Sequence, residues 1–155
     1  MFVAHRYAER LVIDRVRAHG HADLTPAQAR LAARLDEGGS RLTDLAESAG
    51  VTKQTAHVLI GQLEAGGYVE RRPDPSDARA RLIALAARGE DARRVARDAE
   101  DEIRREWEGH LGPEDYAILS RLLARLQEIT DPYLHVGQGD SRRPPAPPGP
   151  REAHE

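Results

Sequence analysis

The chain has 155 residues, a formal net charge of −3 at neutral pH, 4% aromatic residues and no cysteine. Length and composition fit one compact domain, the missing cysteine excludes disulfides and thiol-based redox sensing within this chain, and the mild negative charge argues against indiscriminate attraction to polyanions. No basic-plus-apolar leader and no apolar run of roughly 18 residues is found, so a cytoplasmic location without membrane contact is expected. The apolar content is mostly alanine, leucine and valine, so the chain buries little large side-chain area by itself, and a core completed by a second subunit is expected.

Val3, Tyr7 and Leu11 step by four, with Val12 and Val16 close by, predicting a helix that His19-Gly20-His21 breaks. The most informative stretch is Leu42 to Leu85, which reads as a short helix, a turn, a second helix and a hairpin. Thr43 is the expected N-cap of the short helix, because its hydroxyl can accept from an unpaired first-turn amide, and Asp44 suits the positive helix end. Ala49-Gly50 closes that helix, since glycine takes the left-handed conformation without strain. Val51 is the expected buried residue of the turn, and Thr52 caps the second helix. There Ala56, Leu59, Ile60 and Leu63 share an inward face. Lys53, Gln54, Thr55, His57, Val58, Gly61 and Gln62 are left to face outward or sideways, and Gly66-Gly67 ends the helix.

Lys53 is the only lysine in the chain. It stands in a helical first turn, where the dipole disfavours a cation. Beside it Gln54 can bond adenine through two atoms, and Thr55 can donate, accept or offer a methyl. A plain solvated helix surface is the competing reading of these residues alone. The hairpin follows: Tyr68, Val69 and Glu70 begin a strand, Pro73 to Asp77 read as the turn, and Ala78 to Arg81 lead into the return strand Leu82 to Leu85. Four arginines, Arg71, Arg72, Arg79 and Arg81, lie in this hairpin. They either reach a phosphate backbone and its minor groove or balance Glu70, Asp74 and Asp77 locally.

Val95, Ala99, Ile103 and Trp107 again step by four, Gly112-Pro113 interrupts, and Tyr116, Leu119, Leu122, Leu123, Leu126 and Ile129 form a stripe. These helices either close a monomeric core or pair with a second chain. Residues 90–135 hold seven arginines against twelve acids, and residues 41–89 seven basic groups against six acids, so the basic patch is local. Residues 137–155, GQGDSRRPPAPPGPREAHE, are expected to be a disordered Pro/Gly-rich tail. The seven histidines form no convincing metal set. No glycine-rich phosphate loop, nucleophile elbow or cysteine nucleophile is found. No enzyme activity, cofactor or metal is expected.

From Leu24 to Gly89 the chain resembles the winged helix-turn-helix domain of the MarR family of bacterial transcriptional regulators. LTPAQARLA resembles the family's second helix and RLTDLAESAGVTKQTAHVLIGQLEAGGYVERRPDPSDARA its helix-turn-helix and wing. The flanking helices also fit, extending the similarity over about residues 1–134. The resemblance implies a mainly α fold with a small β-hairpin wing: a winged helix-turn-helix plus a helical dimerisation region. It implies one domain over 1–136, with a DNA-binding lobe about 24–89, dimerisation helices about 2–19, 87–109 and 113–134, and the tail beyond. It further implies a homodimer on an inverted-repeat operator, usually a repressor, often released by a small-molecule effector.

Thr52, Lys53, Gln54 and Thr55 match the family's contacting start of the recognition helix, and Asp77 and Arg79 match the wing's acid and arginine. The expected double-stranded DNA contacts are Thr52, Lys53, Gln54, Thr55, His57, Arg72, Arg79 and Arg81, and the expected effector pocket holds Tyr7, Leu11, Arg15 and Trp107. This chain departs from the family at Val58, where arginine is frequent, at Ala78, where a basic residue is frequent, at Gly61, where a polar residue is usual, and at Ala86, where a capping threonine is usual. A winged helix that binds a protein partner, its wing charges merely solvated, is the competing reading.

Overall fold

A computed structural model describes residues 2–131. In chain order the elements are α1 (Phe2–Ala18), α2 (Pro26–Ala32), α3 (Leu42–Ser48), α4 (Lys53–Ala65), β1 (Val69–Asp74), β2 (Asp77–Leu85), α5 (Ala87–Leu111) and α6 (Pro113–Thr130). Helices dominate and the strands form one antiparallel hairpin, which is the winged helix-turn-helix fold class expected from the sequence. The chain divides into two compact units, residues 1–116 and 117–155.

In the first unit, α1 stops where Gly20 takes a positive φ of 101°. The next helix opens on a capping box. The Thr25 hydroxyl accepts from the Gln28 amide at 3.3 Å, and Gln28 Oε1 accepts from the Thr25 N–H at 2.9 Å. Gln28 Nε2 also donates to Gln62 Oε1 at 3.0 Å, tying α2 to α4.

The cap of α3 differs from the sequence expectation. Arg41, not Thr43, is the N-cap, and it makes no side-chain cap bond. Thr43 lies inside the helix, its hydroxyl donating to Asp44 at 3.2 Å. The cause is tertiary. Ser40 forms an isolated β-bridge to Ile83 of β2 through two N–H···O bonds of 2.9 Å. That pairing fixes where the chain turns from extended to helical, and it outweighs a cap contribution of about 1 kcal/mol.

Leu31, Leu45, Ile60, Leu63 and Ile83 are almost wholly buried. With Val16 and Val95 they form one apolar cluster joining α1 to α5 and the hairpin. Helix α5 buries Val95, Ala99 and Ile103 of the predicted stripe, and Ala92 with them, while Trp107 is half-buried. Gly89 lies in its first turn, where an added Cβ would overlap the Tyr68 carbonyl oxygen. The glycine is there because two backbones touch.

The hairpin also differs from expectation. Pro73 and Asp74 belong to β1, Asp77 opens β2, and only Pro75 and Ser76 form the turn. Proline is tolerated here because β1 has β2 on one side only and its other edge is free. An irregularity between Pro73 and Asp74 shifts the pairing from Pro73↔Arg81 to Asp74↔Asp77.

Helix α6 runs into the second unit and buries no residue: Ile118, Leu119, Leu122, Leu123, Leu126 and Ile129 are all exposed. The tail at 137–155 and the last residues of the third expected dimerisation helix, 132–134, lie outside the described residues. Among the described residues no helix is long and apolar enough to cross a membrane.

Candidate nucleic-acid interface

Helix α4 is presented by a tight turn. Gly50 has φ 64°, and the Val51 N–H donates to the Ala46 carbonyl at 3.0 Å. Val51 is half-buried against the core. Thr52 caps α4 as expected: its hydroxyl accepts from the Thr55 N–H at 3.1 Å, and the two hydroxyls lie 2.8 Å apart. Thr55 is therefore partly engaged in the cap. Ala56, Ile60 and Leu63 are buried and Leu59 is half-buried, so the inward face stands as read from periodicity. Lys53, Gln54, His57, Val58 and Gly61 are exposed on the other side. At about 100° per residue, Gln54, Val58 and Gly61 form the line opposite the core. Gln62 is held by Gln28.

The wing sorts its arginines into two kinds. Arg71 pairs with Glu64 at 3.1 Å and Arg72 with Glu70 at 2.6 Å, both at the surface. Arg79 is exposed, and the carboxylate of Asp77 accepts its backbone N–H at 3.0 Å. Arg81 is exposed and reaches only the Ala80 carbonyl, at 3.3 Å. Arg79 and Arg81 are alternate residues of β2 and so point to one side. Neither has a carboxylate partner for its guanidinium among the described residues.

Sequence reasoning missed the group that fixes the wing. Asp74 is buried, with Oδ1 accepting from the Ser76 hydroxyl (2.6 Å) and amide (2.8 Å), and Oδ2 accepting from Arg41 Nε (2.9 Å) and Nη2 (2.6 Å). The Ser76 bonds first, and Arg41 next, hold the Asp74 carboxyl at about 2. The hydrogen bond to Asp74 in turn raises Arg41. The start of α3 is thereby fastened to the tip of the hairpin. The Asp-Pro-Ser run signals the local turn, but nothing in the sequence selects Arg41 as its distant partner.

A second fastening lies at the junction of the α1–α2 loop, α4 and α5. The Tyr68 hydroxyl donates to Asp23 at 2.8 Å, and the Arg88 guanidinium stacks over the Tyr68 ring at 4.3 Å. Arg88 also donates to Asp23 (2.7 Å) and to the Gly66 carbonyl (2.7 Å). Burial first, and the Asp23 bond second, push the Tyr68 hydroxyl up to about 12. Neither Arg88 nor Asp23 stands out in the sequence, because their partners lie far away along the chain.

A cleft of about 320 Å³ opens between α1 and α5, lined by residues that include Ala8, Val12, Ile103, Trp107 and Tyr116. Of the residues expected around an effector, Trp107 lines it, while Tyr7, Leu11 and Arg15 are not among the lining residues. Arg15 instead pairs with Glu102 at 2.6 Å. No group of three or more His, Asp or Glu side chains converges as metal ligands among the described residues.

A short helix, a tight turn, an exposed second helix and an antiparallel hairpin beside it define a winged helix-turn-helix protein. A family model described as "MarR family" matches residues 22–80. The transcriptional regulator HosA of Escherichia coli O111:H- is 32% identical over 109 residues, 70% of this chain and 81% of its own. Among solved structures, RV1404 from Mycobacterium tuberculosis is 25% identical with a TM-score of 0.66, covering 83% of this chain and 88% of that one. The transcriptional regulator Tm0710 from Thermotoga maritima is 27% identical with a TM-score of 0.55, covering 82% and 91%. The chain belongs to the MarR family and is a transcriptional regulator.

Proposed function

We propose that the protein binds double-stranded DNA in a sequence-specific manner as a cytoplasmic homodimer, occupies an inverted-repeat operator and represses transcription from it. The observation that carries this reading is the capped, solvent-facing start of α4, with Lys53, Gln54 and His57 exposed beside a wing whose Arg79 and Arg81 guanidiniums lack a carboxylate partner among the described residues. In the dimer, each α4 enters a major groove. Gln54, Thr55 and His57 bias the sequence, while Thr52, Lys53 and the wing arginines Arg72, Arg79 and Arg81 supply phosphate and minor-groove contacts. The exposed apolar stripe of α6 supports pairing with a second copy, and dimerisation uses α1, α5 and α6. The domain so formed covers residues 1–136, with the DNA-binding lobe at 24–89. The α1–α5 cleft at Trp107 supports a small-molecule effector. A coupling of roughly 1–3 kcal/mol between such a ligand and DNA is enough to change operator occupancy several-fold or more.

Selection from a pool of random-sequence duplexes tests this reading. Sequencing after several rounds is expected to return an inverted repeat with half-sites centred about 10 base pairs apart, one helical turn. Unenriched random sequence at both low and moderate salt points instead to a winged helix that serves a protein partner.

A further inference from the structure

The outward line of α4 contains a side chain that packing does not explain. Val58 is 52% exposed, and between Tyr7 and Leu111 it is the one large apolar side chain left exposed among the described residues. Valine also has lower helix propensity than alanine, leucine or the long polar residues, because its branched Cβ crowds the preceding turn. Neither helix formation nor the core calls for it. Its neighbours on the same face, Gln54 and His57, are polar and exposed. Gly61, next along the line, has nothing within 4 Å of where a Cβ would stand. The surface around Val58 is therefore open to close approach.

Resting on the DNA-binding function proposed above, we propose that Val58 is a specificity-determining residue that packs on the 5-methyl group of a thymine in the major groove. Thymine is the only base that carries a methyl there, and an apolar side chain is what recognises it. Four residues of helix separate Gln54 from Val58, a rise of about 6 Å. That is close to two base-pair steps of about 3.4 Å, so the thymine falls within about two pairs of the adenine that Gln54 contacts. A long cationic side chain at position 58 reaches phosphate or guanine. Valine exchanges that charge for a contact sensitive to one methyl group.

The test uses the full chain and the duplex returned by selection. Each thymine of a half-site, with its symmetry mate, is replaced in turn by deoxyuridine, which removes only the methyl, and binding is titrated. The unaltered protein is expected to lose about four-fold per half-site at one thymine, the factor for one buried methyl group. Val58→Ala is expected to bind the parent duplex more weakly and to bind parent and deoxyuridine duplexes equally. Val58→Thr, which keeps one methyl, is expected to restore part of the difference. The proposal is overturned if no thymine shows a methyl effect, or if Val58→Ala shows the same effect as the unaltered protein. If selection returns no preferred sequence, the DNA-binding reading fails as well, and that result is recorded before any deoxyuridine is made.

Discussion

Gly61 and Arg79 show how single residues separate the stability of this protein from its function. An added Cβ at Gly61 meets nothing, so Gly61→Ala is expected to stabilise the fold by about 1 kcal/mol and raise the melting temperature by roughly 2–4 °C. On the proposed reading, the same methyl stands between α4 and the groove wall, so a duplex titration is expected to show weaker binding. A more stable variant that binds as well as the parent shows the glycine to be merely tolerated. Arg79→Ala removes a guanidinium that no carboxylate partners among the described residues, so it is expected to leave melting unchanged and to reduce the slope of log affinity against log salt by about 0.9 for each wing. An unaltered slope removes Arg79 from the phosphate contacts. Both residues were legible in the sequence. Thr52 and Gly50 were as well, because a cap and a left-handed turn are local chemistry. The Arg41–Asp74 pair and Arg88 were not, because the partners in each case lie far apart along the chain.

At the scale of the element, the wing is a ribbon of two strands, and such a hairpin is marginal in water unless something else holds it. The Ser40 bridge and the Arg41–Asp74 pair do so. Because the folded value of Asp74 is depressed to about 2, its contribution is fully present above the ordinary carboxylate value near 3.8 and is lost as pH falls through about 2. The wing is therefore expected to keep its protection in hydrogen exchange from neutral pH down to about 4, and to lose it progressively from there to about pH 2. Asp74→Ala is expected to lose that protection at neutral pH while α4 keeps its own. Equal protection of the wing in the variant contradicts the role given to the pair. The helices could be placed from periodicity and glycine stops, since their cause lies within a few residues. Two boundaries could not. Thr43 loses the cap because Ser40 is committed to β2, and Pro73 joins a strand because that strand has a free edge.

At the scale of the whole molecule, residues 90–135 carry the acidic excess and residues 41–89 the basic groups, so on the proposed reading attraction for DNA is local to the stretch that holds the wing. The α6 stripe, with Leu122 at 47% and Leu126 at 45% exposure, is the surface that the proposed dimer buries. Leu122→Glu alters no buried contact of the single chain, so it is expected to leave helix content unchanged and to convert a sedimenting dimer into a monomer. A variant that still sediments as a dimer places the interface elsewhere. The central claim is that two α4 helices read one face of a duplex. It is tested most directly by a hydroxyl-radical footprint of the full chain on the selected sequence. The account predicts protected patches related by two-fold symmetry, with half-site centres about 10 base pairs apart, and minor-groove protection flanking them that Arg79→Ala removes. A single asymmetric patch, or flanking minor-groove protection that Arg79→Ala leaves unchanged, contradicts it.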